Sequence, residues 1–349
     1  MTSYSRALRF IGAQQAGLKP AAVQAISRRL TTMNAGKKAL HTEIYRPTNC
    51  AAVPVIFLHG MSPLGIADPR QVKAARALAH AGFCVICPEL PEIRNLRITA
   101  AAIDDFAALV SAVLADTSLA PAGRVALFAP SFSGAICLRV AALPTLARSI
   151  AVVCAIGSLA GIRNSMEYLF LSDAADTYAR NIVLANYLPL VKKYAALSRV
   201  FLELAHDNWN ASASENPDLP GFQKTNHAFA SMRKLKPALR KIAEALSLDA
   251  AYRAQVFAEL TKHMEREINA YDVLSVAQNI SCPVLLLHGA TDNVIPPSES
   301  VELAKHLPNC RLVVSPFVGH GDSRVSLRRI PDVIRLIGGF AWFFRRVAA

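Results

Sequence analysis

Three polar residues in this 349-residue chain stand where side chains of their type could carry out nucleophilic catalysis. The first is Ser131, in Val125-Ala-Leu-Phe-Ala-Pro-Ser131-Phe-Ser-Gly134. An apolar run, a sharp turn holding a serine and then a helical pattern would project the hydroxyl from the carboxyl end of a strand. Strand and helix backbones pass close at such a turn, so small residues are required two before and two after the serine. Ala129 and Ser133 fill those positions and Gly134 follows. Ser133 is the rival nucleophile. Choosing it would extend the strand through Pro130, which cannot donate to a sheet ladder, so Ser131 is preferred. The bland alternative is that both serines only cap the helix.

The second is Asp292, in Leu287-His-Gly-Ala-Thr-Asp292-Asn-Val-Ile-Pro-Pro297. A carboxylate just past a strand can accept a hydrogen bond from a histidine, fix its tautomer and stabilise the imidazolium. A lone aspartate in such a loop is usually a turn residue. Its weight comes from His320, which lies 28 residues further on, between two glycines after another apolar run. Serine, aspartate and histidine arrive in that order, each just after a strand, and open parallel sheets bind ligands at those carboxyl ends. A fourth signal is Leu58-His59-Gly60-Met61. Backbone N–H groups of Met61 and Phe132 are the expected pair for stabilising a developing oxyanion.

The elements that must position these residues follow from the hydrophobic pattern. Six short apolar runs are expected as strands: 53–58, 83–87, 124–129, 149–156, 283–287 and 311–314. Each is apolar on both faces and rich in Val, Ile or Leu, as a parallel strand covered by helices reads. Helical periodicity fills the intervals 68–81, 98–119, 132–142 and 298–307. The alternation predicts an α/β fold with a doubly wound, mostly parallel sheet. Residues 160–271 break the rhythm. They are read as an inserted helical cap, with helices over 164–171, 173–185, 190–205, 228–246 and 248–271 and a polar loop at 208–226. The expected organisation is a basic helical arm at 1–42, a core at 43–159 and 272–349, and the cap between. Residues 4–31 read as short helices broken at Lys19-Pro20.

The net charge is +13, and residues 1–42 hold seven Lys or Arg and no acidic residue, which leaves +6 on the other 307. A basic arm with an apolar face could touch an anionic membrane peripherally; the competing reading packs that face on the core and leaves the charges outward. No nucleic-acid partner is expected. No secretory signal and no run of about 18 apolar residues is present, so a cytoplasmic chain without a membrane span is expected, with a transit peptide as the alternative reading of the Arg- and Ser-containing, acid-poor arm. Seven cysteines, mostly in apolar runs, fit buried free thiols. Cys84 and Cys87 form a C-x-x-C inside an apparent strand, where they would face opposite ways, against joint metal ligation. Arg94 and Arg97 could hold an anion but fit a solvated loop. His59 and His288 read as packing residues, and Trp209 and Phe222 as acyl-pocket or anchoring residues.

The HG turn, the serine turn, the G-x-x-D-x-x-x-P loop and the last histidine together resemble the α/β-hydrolase superfamily, across about residues 43–158 and 272–345. Both glycines of its usual G-x-S-x-G are replaced here. The resemblance implies a catalytic triad of Ser131, Asp292 and His320, an oxyanion hole at Met61 and Phe132, a lid in 160–271, and no metal or organic cofactor. A serine at the turn argues against the dehalogenase and epoxide-hydrolase branches. The implied activity is cleavage of a small hydrophobic carboxylic ester, with thioester, C–C bond or acyl-transfer chemistry as alternatives. A reading of another class is a catalytically silent, membrane-associated interaction module. It is motivated by the basic arm and by Phe340-Ala-Trp-Phe-Phe-Arg-Arg346.

Overall fold

The computed structural model describes residues 1–215, 223–317 and 330–348. The chain divides into two compact units. One comprises Met1–Asn95, Ala100–Ala160 and Tyr271–Ala349; the other comprises Leu96–Thr99 and Gly161–Ala270.

The first unit is built on an eight-stranded sheet. Its strands are β1 (Ile26–Ala35), β2 (Lys38–Pro47), β3 (Val55–Phe57), β4 (Val85–Pro88), β5 (Val125–Pro130), β6 (Ile150–Ile156), β7 (Val284–Gly289) and β8 (Cys310–Ser315). They lie in the order β1-β2-β4-β3-β5-β6-β7-β8. The six expected strands are β3 to β8 and pair in parallel. Every residue of β3, β4 and β7 is buried, the signature of a sheet covered on both faces. Helices Pro69–His80, Ala101–Ala115, Phe132–Ala141 and Pro297–His306 occupy the intervals expected for them.

The amino-terminal segment departs from the expected helical arm. Helices Ser3–Ala16 and Pro20–Gln24 form, but the chain then enters β1 and turns through Gly36-Lys37 into β2. Gly36 has φ +62°, the conformation a two-residue hairpin requires at its first central position. This hairpin extends the sheet antiparallel, with β2 against β4. β1 was hidden because it is the edge: most of its residues are exposed, so it carries no apolar alternation. Its consecutive Arg28 and Arg29 are charges of the kind that discourage edge-to-edge pairing. Arg28 instead clamps Glu43 across the hairpin with two bonds, 2.6 and 3.1 Å.

The apolar face of helix Ser3–Ala16 packs inward. Phe10 lies 4.7 Å from Phe340 and 5.7 Å from Phe344, ring centre to ring centre. Both belong to the carboxyl-terminal helix Ile330–Val347, whose Phe344 also stacks on Phe83 at 5.0 Å. Of the carboxyl-terminal aromatics that motivated a membrane module, Phe340, Phe343 and Phe344 are therefore core residues, and Trp342 packs half-buried against them. No helix among the described residues is long and apolar enough to cross a membrane.

The second unit is helical among its described residues. Its helices are Ile162–Leu171, Thr177–Tyr187, Ser198–Glu215, His227–Lys234, Pro237–Leu248, Ala250–Leu260 and Glu265–Ala270. Several boundaries differ from the periodicity: the helix expected over 173–185 starts at Thr177, that over 190–205 starts at Ser198, and that over 248–271 is divided into Ala250–Leu260 and Glu265–Ala270. Residues 208–215, expected in a loop, are helical instead, because the third helix continues through the buried Trp209 to Glu215. The expected helix 228–246 is cut before Pro237, whose ring cannot continue it. Arg253 is buried and fixed by the Phe170 carbonyl (2.6 Å) and the Asp173 carboxylate (2.6 Å). Leu96 has a left-handed φ of 57°; Asn186 accepts from Ile98 N–H (2.9 Å) and donates to the Leu96 carbonyl (2.8 Å).

Candidate active site

The turn after β5 is the most strained backbone at the site. Ser131 has φ 55° and ψ −139°. Among the described residues, only Leu96 and Ser131 hold positive φ without being glycine. A side chain there costs about 1–3 kcal/mol, which surrounding structure must over-determine. It does so in two ways. The Ser131 N–H donates to the Ile156 carbonyl of β6 (2.6 Å), and its carbonyl accepts from Gly134 N–H (2.9 Å). The strand runs one residue further than expected, through Pro130, and the Ser131 amide replaces the donor that proline lacks.

Gly134 explains how a chain without the usual glycines can make this turn. A Cβ there would lie 2.8 Å from both Cβ and Oγ of Ser158 and 3.2 Å from Cβ of Ala155. The close approach of helix Phe132–Ala141 to the end of β6 falls at Gly134, three residues after the serine. Ala129 and Ser133 are both fully buried, so their small size is used as well.

Ser133 already has a partner. Its side chain is buried and its hydroxyl donates to the His59 carbonyl at 2.5 Å. What separates the two serines is thus this long-range bond. The proline argument from sequence does not, since β5 does include Pro130.

The His59-Gly60-Met61 turn is held from several sides. His59 is buried and uses both ring nitrogens: Nδ1 lies 2.8 Å from the Gly60 carbonyl, and Nε2 accepts from Leu90 N–H at 3.2 Å. These partners require a neutral ring protonated on Nδ1, and burial accordingly holds its pKa below the ordinary 6.5. The following loop is tied by Asp68, which accepts from Ser62 Oγ (2.7 Å) and from the Arg70 guanidinium (3.0 and 2.7 Å). Burial pushes the Asp68 carboxyl up, but Arg70 and Ser62 outweigh it and leave it below its usual range. Arg94, considered as an anion holder, pairs with Glu89 at 2.9 Å. Phe132, the first residue of its helix, has an amide of the kind left without an intrahelical acceptor. Its ring packs on the buried Tyr271, 4.7 Å centre to centre, as an apolar wall beside the serine turn.

Asp292 follows β7 and is buried. Its Oδ1 accepts from the amides of Val294 (2.9 Å) and Ile295 (3.0 Å). Its Oδ2 lies 3.6 Å from Nε2 of His288, a fully buried ring. His288 brackets the acid loop: Nε2 meets the Ile295 carbonyl at 2.8 Å and Nδ1 meets Ser300 Oγ at 2.6 Å. Reading His59 and His288 as packing residues therefore missed their polar work. Apart from Gly60, the next residue, the partners lie on other elements or turns, so no local sequence signal marks this work. His320 and Phe222 lie outside the described residues.

The profile of the alpha/beta hydrolase fold family matches residues 53–323. The chain belongs to the α/β-hydrolase fold family. Among curated proteins, no sequence relative is found. Solved structures resemble it over most of its length at low identity. A puromycin-hydrolysing peptidase of Mycobacterium tuberculosis aligns with 95% of this hydrolase-fold chain and 41% of its own, at 16% identity and TM-score 0.53. An acylaminoacyl peptidase of Pyrococcus horikoshii aligns with 92% of this chain and 41% of its own, at 11% identity and TM-score 0.50. This chain thus spans about two fifths of the length of either peptidase. Proline iminopeptidase of Mycobacterium smegmatis aligns over 92% of this chain and 99% of its own, at 18% identity and TM-score 0.47. At such identities the likeness concerns the fold alone.

Proposed function

We propose that this hydrolase-fold chain is a serine hydrolase that cleaves a small hydrophobic carboxylic ester through an acyl-enzyme on Ser131. The observation that carries the reading is the left-handed φ of 55° at Ser131, a non-glycine residue in a turn between strand and helix. Backbone strain of this kind gathers at active sites, where it aims a side chain. The occupation of the neighbouring Ser133 hydroxyl by His59 supports the same choice.

In this mechanism Ser131 Oγ attacks the carbonyl carbon while His320 takes its proton. The amides of Phe132 and Met61 stabilise the oxyanion. Collapse of the intermediate expels the alcohol, which takes the proton from His320. Water, deprotonated by the same histidine, then attacks the acyl-enzyme and releases the acid. Asp292 orients His320 and stabilises its imidazolium. The apolar Phe132–Tyr271 pair supports a hydrophobic acyl group rather than a polar one.

The test is labelling by a fluorophosphonate, followed by a panel of esters and thioesters of graded acyl length. Stoichiometric labelling at Ser131 with turnover of apolar esters is expected. An unlabelled protein would sink the serine-hydrolase reading, and faster turnover of thioesters would move the substrate class without moving the nucleophile.

A further inference from the structure

A cleft lies at the opposite end of the sheet from the serine turn. Ser131 follows the carboxyl end of β5, whereas this cleft is bounded by residues 79–82, which lead into the amino end of the parallel strand β4, and by 47–49, which leave β2. Helix Ser3–Ala16 forms another side, and the cleft encloses about 490 Å³. Three of its lining residues are basic side chains, Arg6, Arg9 and His80, and none is Asp or Glu.

Arg6 is fixed rather than trailing. Its Nη1 donates to the carbonyls of Ala81 (2.9 Å) and Gly82 (3.1 Å), and its guanidinium lies 4.6 Å from the Phe83 ring centre. Gly82, at φ +93°, makes room for it: a Cβ there would approach Nη1 to 2.8 Å. Two carbonyls and a ring do not neutralise the charge, and the buried Nε takes no acceptor among the described residues. Arg9 is three residues on, one helical turn away, and His80 ends the helix Pro69–His80. Burial first, and the Arg9 charge second, hold the pKa values of both Arg6 and His80 down. Ala22, Ala25 and Ile26 supply an apolar wall.

From these observations we infer that the cleft binds a phosphate monoester carrying a short alkyl group, whether free in solution or as a lipid head group. Two permanent positive charges and an imidazole match a dianion better than a carboxylate, and arginine is suited to phosphate geometry. The apolar wall takes the first carbons of the chain. This site is independent of the chemistry at Ser131.

Calorimetric titration of the full chain with hexyl phosphate tests the assignment. Saturable binding is expected, with hexanoate and inorganic phosphate weaker. The double variant Arg9→Glu/His80→Gln should weaken hexyl phosphate by about tenfold or more, as loss of charge-assisted contacts implies. Arg29→Glu changes the charge on the exposed edge strand and should leave binding intact. Arg6 is kept, because it also anchors the 81–82 turn. A parallel arm uses phosphatidylcholine vesicles with and without phosphatidic acid. Binding of those vesicles that the double variant abolishes would place the phosphate on a lipid head group; binding of hexyl phosphate alone would assign a soluble ligand. No saturable binding in either arm, equal binding of hexanoate, or equal weakening by Arg29→Glu would overturn the proposal.

Discussion

The Ser133 hydroxyl donates to the His59 carbonyl across 2.5 Å, joining the helix after the serine turn to the loop that carries Met61. Two segments 74 residues apart in sequence are thereby locked in register. Replacing Ser133 with alanine leaves that buried carbonyl without its donor, at a cost of about 1–3 kcal/mol. The Ser133→Ala protein should melt lower but still react with a fluorophosphonate, whereas Ser131→Ala should keep its stability and not react. Labelling lost in Ser133→Ala with the melting temperature unchanged would assign the nucleophile to Ser133.

Asp292 offers a separation of structure from catalysis. Its Oδ1 caps two amides, a task an asparagine oxygen performs equally well. Asp292→Asn should therefore unfold within about 1 kcal/mol of the parent, since both capping bonds survive. Turnover should fall by about three to four orders of magnitude, because the amide favours the wrong histidine tautomer. Undiminished turnover with an ester would remove Asp292 from the mechanism.

Gly134 should tolerate nothing larger. Alanine there would meet Ser158 at 2.8 Å, so the helix must shift away from β6 and take the serine turn with it. Gly134→Ala is expected to destabilise by about 1–3 kcal/mol through overpacking. Combining it with Ser158→Gly should restore part of the melting temperature, and a double variant no more stable than the single one would show that the contact is not the cause.

The buried neutral His59 makes stability depend on pH with a definite sign. Its folded pKa lies below the ordinary 6.5, so the folded state binds fewer protons than the unfolded state. Its contribution is complete above that ordinary value and is lost progressively as pH falls toward the depressed one. His80 and His206, also held low by burial, act in the same direction. Urea midpoints should drop between pH 7.5 and 5.5, values spanning roughly the titration range of an unperturbed histidine. His59→Gln should show a shallower drop; an unchanged slope would exclude His59 as a contributor.

Thiol chemistry should discriminate among the seven free cysteines. Cys50 alone is exposed, while burial raises the pKa of Cys282 to about 12 and that of Cys310 to about 11. Cys84, Cys87, Cys137 and Cys154 are buried and likewise raised. Iodoacetamide at neutral pH should modify Cys50 in the native protein and the rest only after unfolding, as mapped by peptide mass. Rapid native alkylation of Cys84 or Cys87 would contradict their burial.

By itself the sequence determined the parallel strands β3 to β8 and the helices between them, because each strand is apolar on both faces and each helix repeats at its own period. It also marked the serine turn and the G-x-x-D loop, whose chemistry is written in adjacent residues. The tertiary structure alone decided three things. It turned Ile26–Pro47 into a hairpin, and in its edge strand β1 exposure on both faces erases the alternation that reveals a strand. It set the two neighbouring serines in different surroundings, Ser131 on a left-handed backbone and Ser133 bonded to His59. And it gave His59 and His288 polar roles through Leu90, Ile295 and Ser300. The physical reason is common to all three: a periodic pattern reports burial averaged over an element. A hydrogen bond depends on which two atoms the packing of separate elements brings within 3 Å or so of each other, and no local spacing encodes that.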